Sequence, residues 1–228
     1  MQIPAPSSPV VLLSGASGLI GSLVLQRLLA ARDCSVIAPV RRALAASDPR
    51  LTDLVGDFTD PAAQLALREQ LRGVAGLQVW ICALGTTLKA AGSREAFRSV
   101  DLGLVLDMAA LARHSGARHA IVVSSVGADP AARHFYLSVK GRAEQGLREI
   151  GFARLDLLRP SLLLGTRLEA RRGEAWGQRL APLLNPLLPG PWRRYRAIHA
   201  DTVAAAILRL RDETATGCFV HEYDSLSG

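Results

Sequence analysis

Short apolar runs alternate with stretches of helical periodicity along this chain. VVLLS (10–14), SVIAPV (35–40), LQVWICA (77–83), HAIVVSS (119–125) and RLDLLRP (154–160) read as strands, with a shorter one around LVG (54–56). Between them, apolar spacing predicts helices from about Leu19 to Ala31, Pro61 to Leu71, Ser93 to His114 and Arg133 to Ile150. Asp60 before Pro61 forms an N-cap and first-turn pair. Ser93 is placed to cap a long helix whose Phe97, Val100, Leu104, Val105, Met108 and Leu111 recur three and four apart. Gly116 and Gly151 suit the left-handed positions that end the two long helices. Strand–helix alternation of this length, with strands apolar throughout, predicts an α/β fold: a Rossmann-like doubly wound parallel sheet with helices on both faces.

The rhythm breaks after Pro160. Residues 161–197 are rich in Pro, Arg and Leu and hold no clean alternation. A short strand near 196–200 and a helix from Asp201 to Leu210 then return to the main pattern. The chain, 1–228, is expected to be one domain, with 161–197 as a small excursion capping a substrate beside the sheet's C-terminal edge. The leucines, two tryptophans and arginines of 174–196 would also suit a membrane interface. Pro182 and Pro186 interrupt any long helix there, which favours the cap.

Composition narrows the partners. A length of 228 residues, 49% of them apolar, supplies a sizeable core. The net charge of +7 tolerates an anionic partner, and Arg167, Arg171 and Arg172 suit an acidic small-molecule substrate. The basic residues are spread along the chain and aromatics are 5%, so nucleic acid is not an expected partner. No apolar run is long enough to span a bilayer, and MQIPAPSSP lacks the basic flank and apolar core of a signal peptide. A cytoplasmic location, with no stable membrane insertion, is expected. Cys34, Cys82 and Cys218 lie far apart with no CxxC, which predicts reduced, buried thiols. The five histidines lack HxxxH or HExxH spacing, so no metal site is expected.

The chemistry starts at GASGLIG, Gly15 to Gly21, between the first strand and the first helix. Gly15 permits a tight turn, Gly18 lets the backbone approach a pyrophosphate, and Gly21 lets helix pack closely on strand. The helix N-terminus then offers N–H groups and a partial positive charge. No GK[ST] follows, so this is not a Walker A loop, and Leu19 stands where a GxSxG elbow needs glycine. A domain that binds NAD places Asp or Glu at the end of the second strand for the ribose 2′-hydroxyl. Here VIAPV continues into Arg41-Arg42, whose guanidinium forks suit a 2′-phosphate. NADP(H) is therefore expected in preference to NAD(H). Asp57, in VGDF, is placed either to accept from the adenine amino group or to close a turn.

The chain holds 27 lysines and arginines, and only Lys89 and Lys140 are lysines. Lys140 lies in YLSVK, four residues after Tyr136, so the two share a helix face. A nearby ammonium stabilises a phenolate and makes a tyrosine usable as a proton donor or acceptor near neutral pH. Lysine does this as a compact charge with three donors, one of which can bond a ribose hydroxyl; arginine's planar fork has the wrong shape. Ser124 and Ser125 end the fifth strand, and Ser125, 11 residues before Tyr136, is expected to hold the substrate oxygen opposite it. Ser124 would face packing or the cofactor.

GASGLIG, the strand-end serines, YLSVK and LRPSLLLG, in that order, resemble the short-chain dehydrogenase/reductase superfamily in its extended or atypical branch. CALGTTLKAAGSREAFRSVDLGLVLDMAALARHSGARHAIVVSSVGAD, YLSVKGRAE and RLEARRGE are similar, more narrowly, to the oxidoreductase family of the human Tat-interacting protein. The likeness runs from about residue 9 to 212, and the arginine-biased, alanine-rich composition resembles a bacterial member. It implies a Rossmann fold that binds NADP(H). It implies Gly15, Ser17, Gly18, Leu19, Ile20 and Gly21 at the pyrophosphate, and Arg41 and Arg42 at the 2′-phosphate. It implies Ala83, Leu84 and Gly85 along the adenosine ribose and the cofactor's middle, and Pro160 with the backbone of Ser161 to Leu163 at the nicotinamide. Tyr136, Lys140 and Ser125 would be catalytic. One departure stands out: where the superfamily often has an asparagine that holds a relay water, VDLG offers Asp101.

Three functions fit these residues. The first is an NADP(H)-dependent oxidoreductase acting on a carbonyl or alcohol, with an epimerase or dehydratase as a variant. The second is a regulatory module that binds dinucleotide and a protein partner with little catalysis; the intact tyrosine–lysine pair favours the enzyme. The third is the membrane-surface role of 174–196. The helices at 93–114 and 133–150 would allow pairing across a homodimer.

Overall fold

The computed structural model describes residues 9–165, 185 and 188–228. Seven strands form one wholly parallel sheet: β1 (Val10–Ser14), β2 (Ser35–Val40), β3 (Leu51–Val55), β4 (Leu77–Cys82), β5 (His119–Val123), β6 (Arg154–Leu158) and β9 (Gly217–His221). Their order across the sheet is β3-β2-β1-β4-β5-β6-β9. A separate parallel ladder joins β7 (Leu163–Leu164) to β8 (Ile198–His199).

Helices cover both faces. On one, α1 (Leu19–Ala31) and α7 (Ala200–Arg211) bury Val24, Leu28, Val203 and Ile207 against Val11, Leu13 and Ile121 of the sheet. On the other, α2 (Pro61–Leu71), α5 (Val105–His114) and α6 (Phe135–Ile150) bury Leu67, Met108 and Leu147 against Leu12, Trp80 and Leu157. Every residue of β1 and β6 is buried, as two-sided coverage requires. Each large apolar side chain buried this way stabilises the fold by about 1.5–3 kcal/mol. The expected caps form: Asp60 accepts from Ala62 N at 3.1 Å, and Ser93 accepts from Ala96 N at 3.0 Å.

Several boundaries differ from the sequence reading. The third strand runs 51–55 rather than 54–56, because LTDLV pairs with Val36–Val40 of β2 while the Asp53 carboxylate accepts from Leu44 N. The fourth, fifth and sixth strands stop at Cys82, Val123 and Leu158, so Ala83, Ser124, Ser125 and Pro160 lie in the loops beyond them. The helix expected from Arg133 starts at Phe135. The short helices α3 (Leu88–Ala91) and α8 (Tyr223–Ser227), and the edge strand β9, were not expected.

The largest difference is in the long helix. It is α4 (Arg94–Arg98), a π-helical segment over Ser99–Leu104, and then α5. The wider π turn keeps residues four apart on one face, so Phe97, Asp101 and Val105 are buried, while Val100 and Leu104 of the expected stripe are half-buried. The expectation of three buried thiols holds for two. Burial pushes the Cys34 thiol up to about 11 and that of Cys82 up to about 12, whereas Cys218 is exposed on the edge strand. Among the described residues no helix is long and apolar enough to cross a membrane. The lead-in over residues 1–8, Arg167, Arg171, Arg172 and most of the expected cap lie outside the described residues.

Candidate functional site

Strand order reverses between β1 and β4, so the loops leaving their C-terminal ends diverge and open a crevice. The turn from β1 into α1 is built on glycine. Gly15 has φ +86°, and a Cβ there would lie 2.6 Å from the Ala83 carbonyl carbon. A Cβ on Gly21 would meet the Gly15 carbonyl oxygen at 2.0 Å. Ala83 N donates to the Ser14 carbonyl at 2.8 Å, so the two loops flanking the crevice are in backbone contact. Gly18 is the N-cap of α1, with no side-chain cap and no acidic residue in the first turn. The first N–H groups of this 13-residue helix therefore remain available to a phosphate. Ile20 is buried in the core and can offer only backbone; Ser17 is exposed.

Arg41 and Arg42 follow β2 on the same rim, exposed and with no carboxylate partner among the described residues. Asp57 lies near enough for the Arg41 charge to act on it, but its carboxylate closes its own turn, accepting from Thr59 Oγ1 at 2.7 Å and Thr59 N at 3.1 Å. Those bonds, with Arg41, hold its carboxyl below the usual range. These groups fit a dinucleotide: a backbone cradle that a Cβ would fill and uncapped N–H groups, with two guanidinium groups on the rim that lack a carboxylate partner among the described residues.

Tyr136 and Lys140 sit one turn apart on α6. Lys140 is buried, and its Nζ lies 2.7 Å from Asp101 Oδ1. Burial alone would lower the Lys140 pKa, but the Asp101 charge and the Tyr136 oxygen outweigh it and hold it above the ordinary lysine value. The other Asp101 oxygen accepts from Thr86 N at 2.9 Å, which fixes the loop after β4. Gly85 lies against this pair: a Cβ on it would sit 3.5 Å from Asp101 Oδ1 and 3.7 Å from Lys140 Nζ. The Tyr136 ring packs on Phe97, with centroids 5.7 Å apart.

The loop carrying Ser125 is pressed onto the same helix. Ala128 N donates to the Ser125 carbonyl, Asp129 N to the Leu137 carbonyl, and Ser138 Oγ to the Pro130 carbonyl. A Cβ on Gly141 would be 2.1 Å from the Asp129 carbonyl carbon, so only glycine after Lys140 admits this approach. Among the described residues Ser125 Oγ has only a long 3.3 Å contact to the Val126 carbonyl. Ser124 is different: buried, it donates to Glu144 Oε1 at 2.6 Å. Glu144, one turn beyond Lys140, also takes two bonds from Arg159, at 2.9 and 2.6 Å. Ser124 is thus joined to a buried polar cluster with Glu144 and Arg159. Val126 N donates to the Pro160 carbonyl, which brings Pro160 beside the serine loop. Ser161 donates to the Arg196 carbonyl, next to the β7–β8 ladder that contains Leu163. Asn185 bonds both N and O of Ala197.

A family model described as NAD(P)H-binding matches residues 15–163, spanning Gly15 through Leu163. The chain belongs to this NAD(P)H-binding family. It is 35% identical to the rat protein HTATIP2 over 199 residues, 87% of this chain and 79% of that protein. It is 35% identical to the mitochondrial protein fmp52 of Emericella nidulans over 170 residues, 72% of this chain and 71% of that one. Solved structures with the same fold include Bordetella bronchiseptica WbmH in complex with NAD+ (TM-score 0.70, 15% identity, 94% of this chain and 76% of that one). A short-chain dehydrogenase from Streptomyces avermitilis matches with TM-score 0.66 and 18% identity over 98% of this chain and 91% of that one. Over most of its length the chain thus resembles HTATIP2, and it shares its fold with these NAD-binding and dehydrogenase structures.

Three residues near the site escaped the sequence reading. Gly141, Glu144 and Arg159 had no local signal, because each is defined by a partner far along the chain. Asp101 was noticed as a departure, and the ion pair with Lys140 supplies its partner.

Proposed function

We propose that this protein is an NADP(H)-dependent oxidoreductase acting on a carbonyl or alcohol substrate, with Ser125, Tyr136 and Lys140 as its reacting residues. The observation that carries this reading is Lys140: a buried ammonium held charged by Asp101, one turn from Tyr136, on the helix against which Gly141 seats the Ser125 loop.

Gly15, Ser17, Gly18, Leu19, Ile20 and Gly21 would hold the pyrophosphate through backbone N–H groups. Arg41 and Arg42 would grip the 2′-phosphate, with Asp57 at the adenine. Ala83, Leu84 and Gly85 would line the middle of the crevice, and Pro160, Ser161 and Leu163 its nicotinamide end. When bound, the cofactor supplies or accepts the hydride. Ser125 Oγ, lacking a strong internal partner, positions the substrate oxygen. Tyr136 donates its phenolic proton to that oxygen in reduction and takes it back in oxidation. Lys140 steadies the tyrosine's charge and offers a donor to a ribose hydroxyl, while Asp101 keeps it protonated and fixes the Thr86 loop.

The domain organisation follows the same reading: one nucleotide-binding domain with 161–197 as a substrate cap. The ends of that excursion are tied together by the β7–β8 ladder and by the Ser161–Arg196 and Asn185–Ala197 bonds, so its interior can vary without disturbing the sheet.

The test is a panel of aldehydes and ketones, followed by loss of NADPH absorbance, with wild type and Tyr136→Phe in parallel. Turnover that falls about 10²-fold or more in Tyr136→Phe, with NADPH binding retained, supports the proposal. Equal turnover by the two proteins removes Tyr136 from the chemistry and refutes it.

A further inference from the structure

A cavity of about 460 Å³ opens beside α6, on a different face from Tyr136 and Lys140. Its walls include Arg94 and Arg98 of α4, Arg133 of the preceding loop, and Phe135, Ser138 and Arg142 of α6. Among the described residues no aspartate or glutamate lines it. Several arginines elsewhere in the molecule find carboxylates: Arg27 pairs with Asp201, Arg159 with Glu144 and Arg211 with Asp33. These four have neither an ion pair nor a hydrogen bond among the described residues. Two of them are instead held by an aromatic ring: the guanidinium carbons of Arg94 and Arg98 lie 5.1 and 5.3 Å from the Phe135 ring centroid. That contact orients the planar groups through the ring quadrupole and leaves their N–H forks unused.

We propose that this cavity binds a small multivalent anion, phosphate- or carboxylate-bearing, at a site separate from the dinucleotide crevice. Four like charges around one concavity repel one another, and an anion among them replaces repulsion with attraction. Guanidinium forks match phosphate and carboxylate oxygens two at a time. The volume is that of a small-molecule site rather than a surface dimple. The cluster also has a structural cause: α4 and α6 bring together two arginine-bearing segments from distant parts of the chain, 94–98 and 133–142. The charges are exposed, so binding weakens as salt rises.

The experiment is calorimetric titration of the full chain at low ionic strength with inorganic tripolyphosphate and, separately, with citrate. Three further proteins are compared with wild type: Arg94→Ala/Arg142→Ala, the charge-keeping Arg94→Lys/Arg142→Lys, and Arg41→Ala/Arg42→Ala as a control for phosphate bound in the crevice. The expected result is a binding event weakened about tenfold or more by Arg94→Ala/Arg142→Ala. The lysine variant restores it in part, and Arg41→Ala/Arg42→Ala leaves it in place. Citrate distinguishes the two ligand chemistries: binding of both means charge suffices, and binding of tripolyphosphate alone means phosphate is required. No binding of either anion, or a wild-type isotherm from Arg94→Ala/Arg142→Ala, overturns the proposal. So does an event lost only in Arg41→Ala/Arg42→Ala. Circular dichroism on each variant confirms that the comparison is between folded proteins.

Discussion

Asp101 and Asp156 are both wholly buried carboxylates, and the fold uses them for different ends. Asp156, in the middle of β6, accepts from His119 Nε2 and His221 Nε2, each at 2.7 Å, and from Arg154 at 2.6 and 2.9 Å. Arg154 in turn donates to the Ala215 carbonyl and stacks on Phe219. The cluster ties together β5, β6 and the exposed edge strand β9, and its members spend their hydrogen bonds on one another. Asp101 has fewer partners, Lys140 and Thr86 N, and it abuts Gly85 at the crevice. Among the described residues Asp101 is the one carboxylate paired with the Lys140 ammonium. A saturated buried charge fastens strands, whereas a charge with donors to spare beside a crevice can act on something else. The contrast predicts that mutations should separate stability from chemistry.

The largest effect should come from Asp156→Ala, which leaves Arg154 buried without its counter-charge. We expect a loss of about 3–5 kcal/mol in urea unfolding, with NADPH affinity of the folded protein unchanged. A loss under about 1 kcal/mol would erase the contrast. The pH dependence has a definite sign. Burial alone would raise the Asp156 pKa, but hydrogen bonds from His119, His221 and Arg154, with the Arg154 charge, hold the carboxyl well below the usual range. Its contribution is therefore complete above the unfolded value of about 4 and is lost as pH falls below it. Wild type should lose stability more steeply than Asp156→Asn over that interval, as measured by unfolding at a series of acid pH values.

Gly141→Ala comes next. Its methyl would push the Ser125 loop off α6, at about 1–3 kcal/mol, and should lower turnover more than it lowers NADPH affinity. Asp101→Asn should cost about the same or less, since an acceptor remains, yet move the chemistry further. With its counter-charge gone, buried Lys140 should lose its proton at lower pH, so the alkaline limb of the pH–rate profile should shift downward. An unmoved profile would leave Asp101 a purely structural residue, like Asp156.

The two clusters also differ in how legible they were. β1, the glycine turn, α2 with Asp60 and Pro61, and YLSVK could be read locally, because their signals lie within one turn or one strand. Asp156 was hidden inside an apolar-looking strand, RLDLL, and its two histidine partners lie 37 and 65 residues away. The π segment was missed for a subtler reason. Its apolar residues satisfy ordinary helical spacing, and only the wider turn reveals that Asp101 rather than Val100 faces inward. β9 escaped because its residues are largely exposed, so GCFVH carries little apolar pattern. Arg41 and Arg42 could be read as adjacent charges after a buried strand, and both lack a carboxylate partner among the described residues.

The cofactor assignment at the centre of the account rests most directly on those two arginines. Titrating NADPH and NADH separately into wild type and Arg41→Ala/Arg42→Ala, with binding followed by calorimetry, tests it. The account predicts that wild type prefers NADPH and that the double variant loses this preference, about tenfold or more, while its NADH affinity stays near that of wild type. Equal affinity of wild type for the two cofactors, or a preference that survives in the variant, would contradict it.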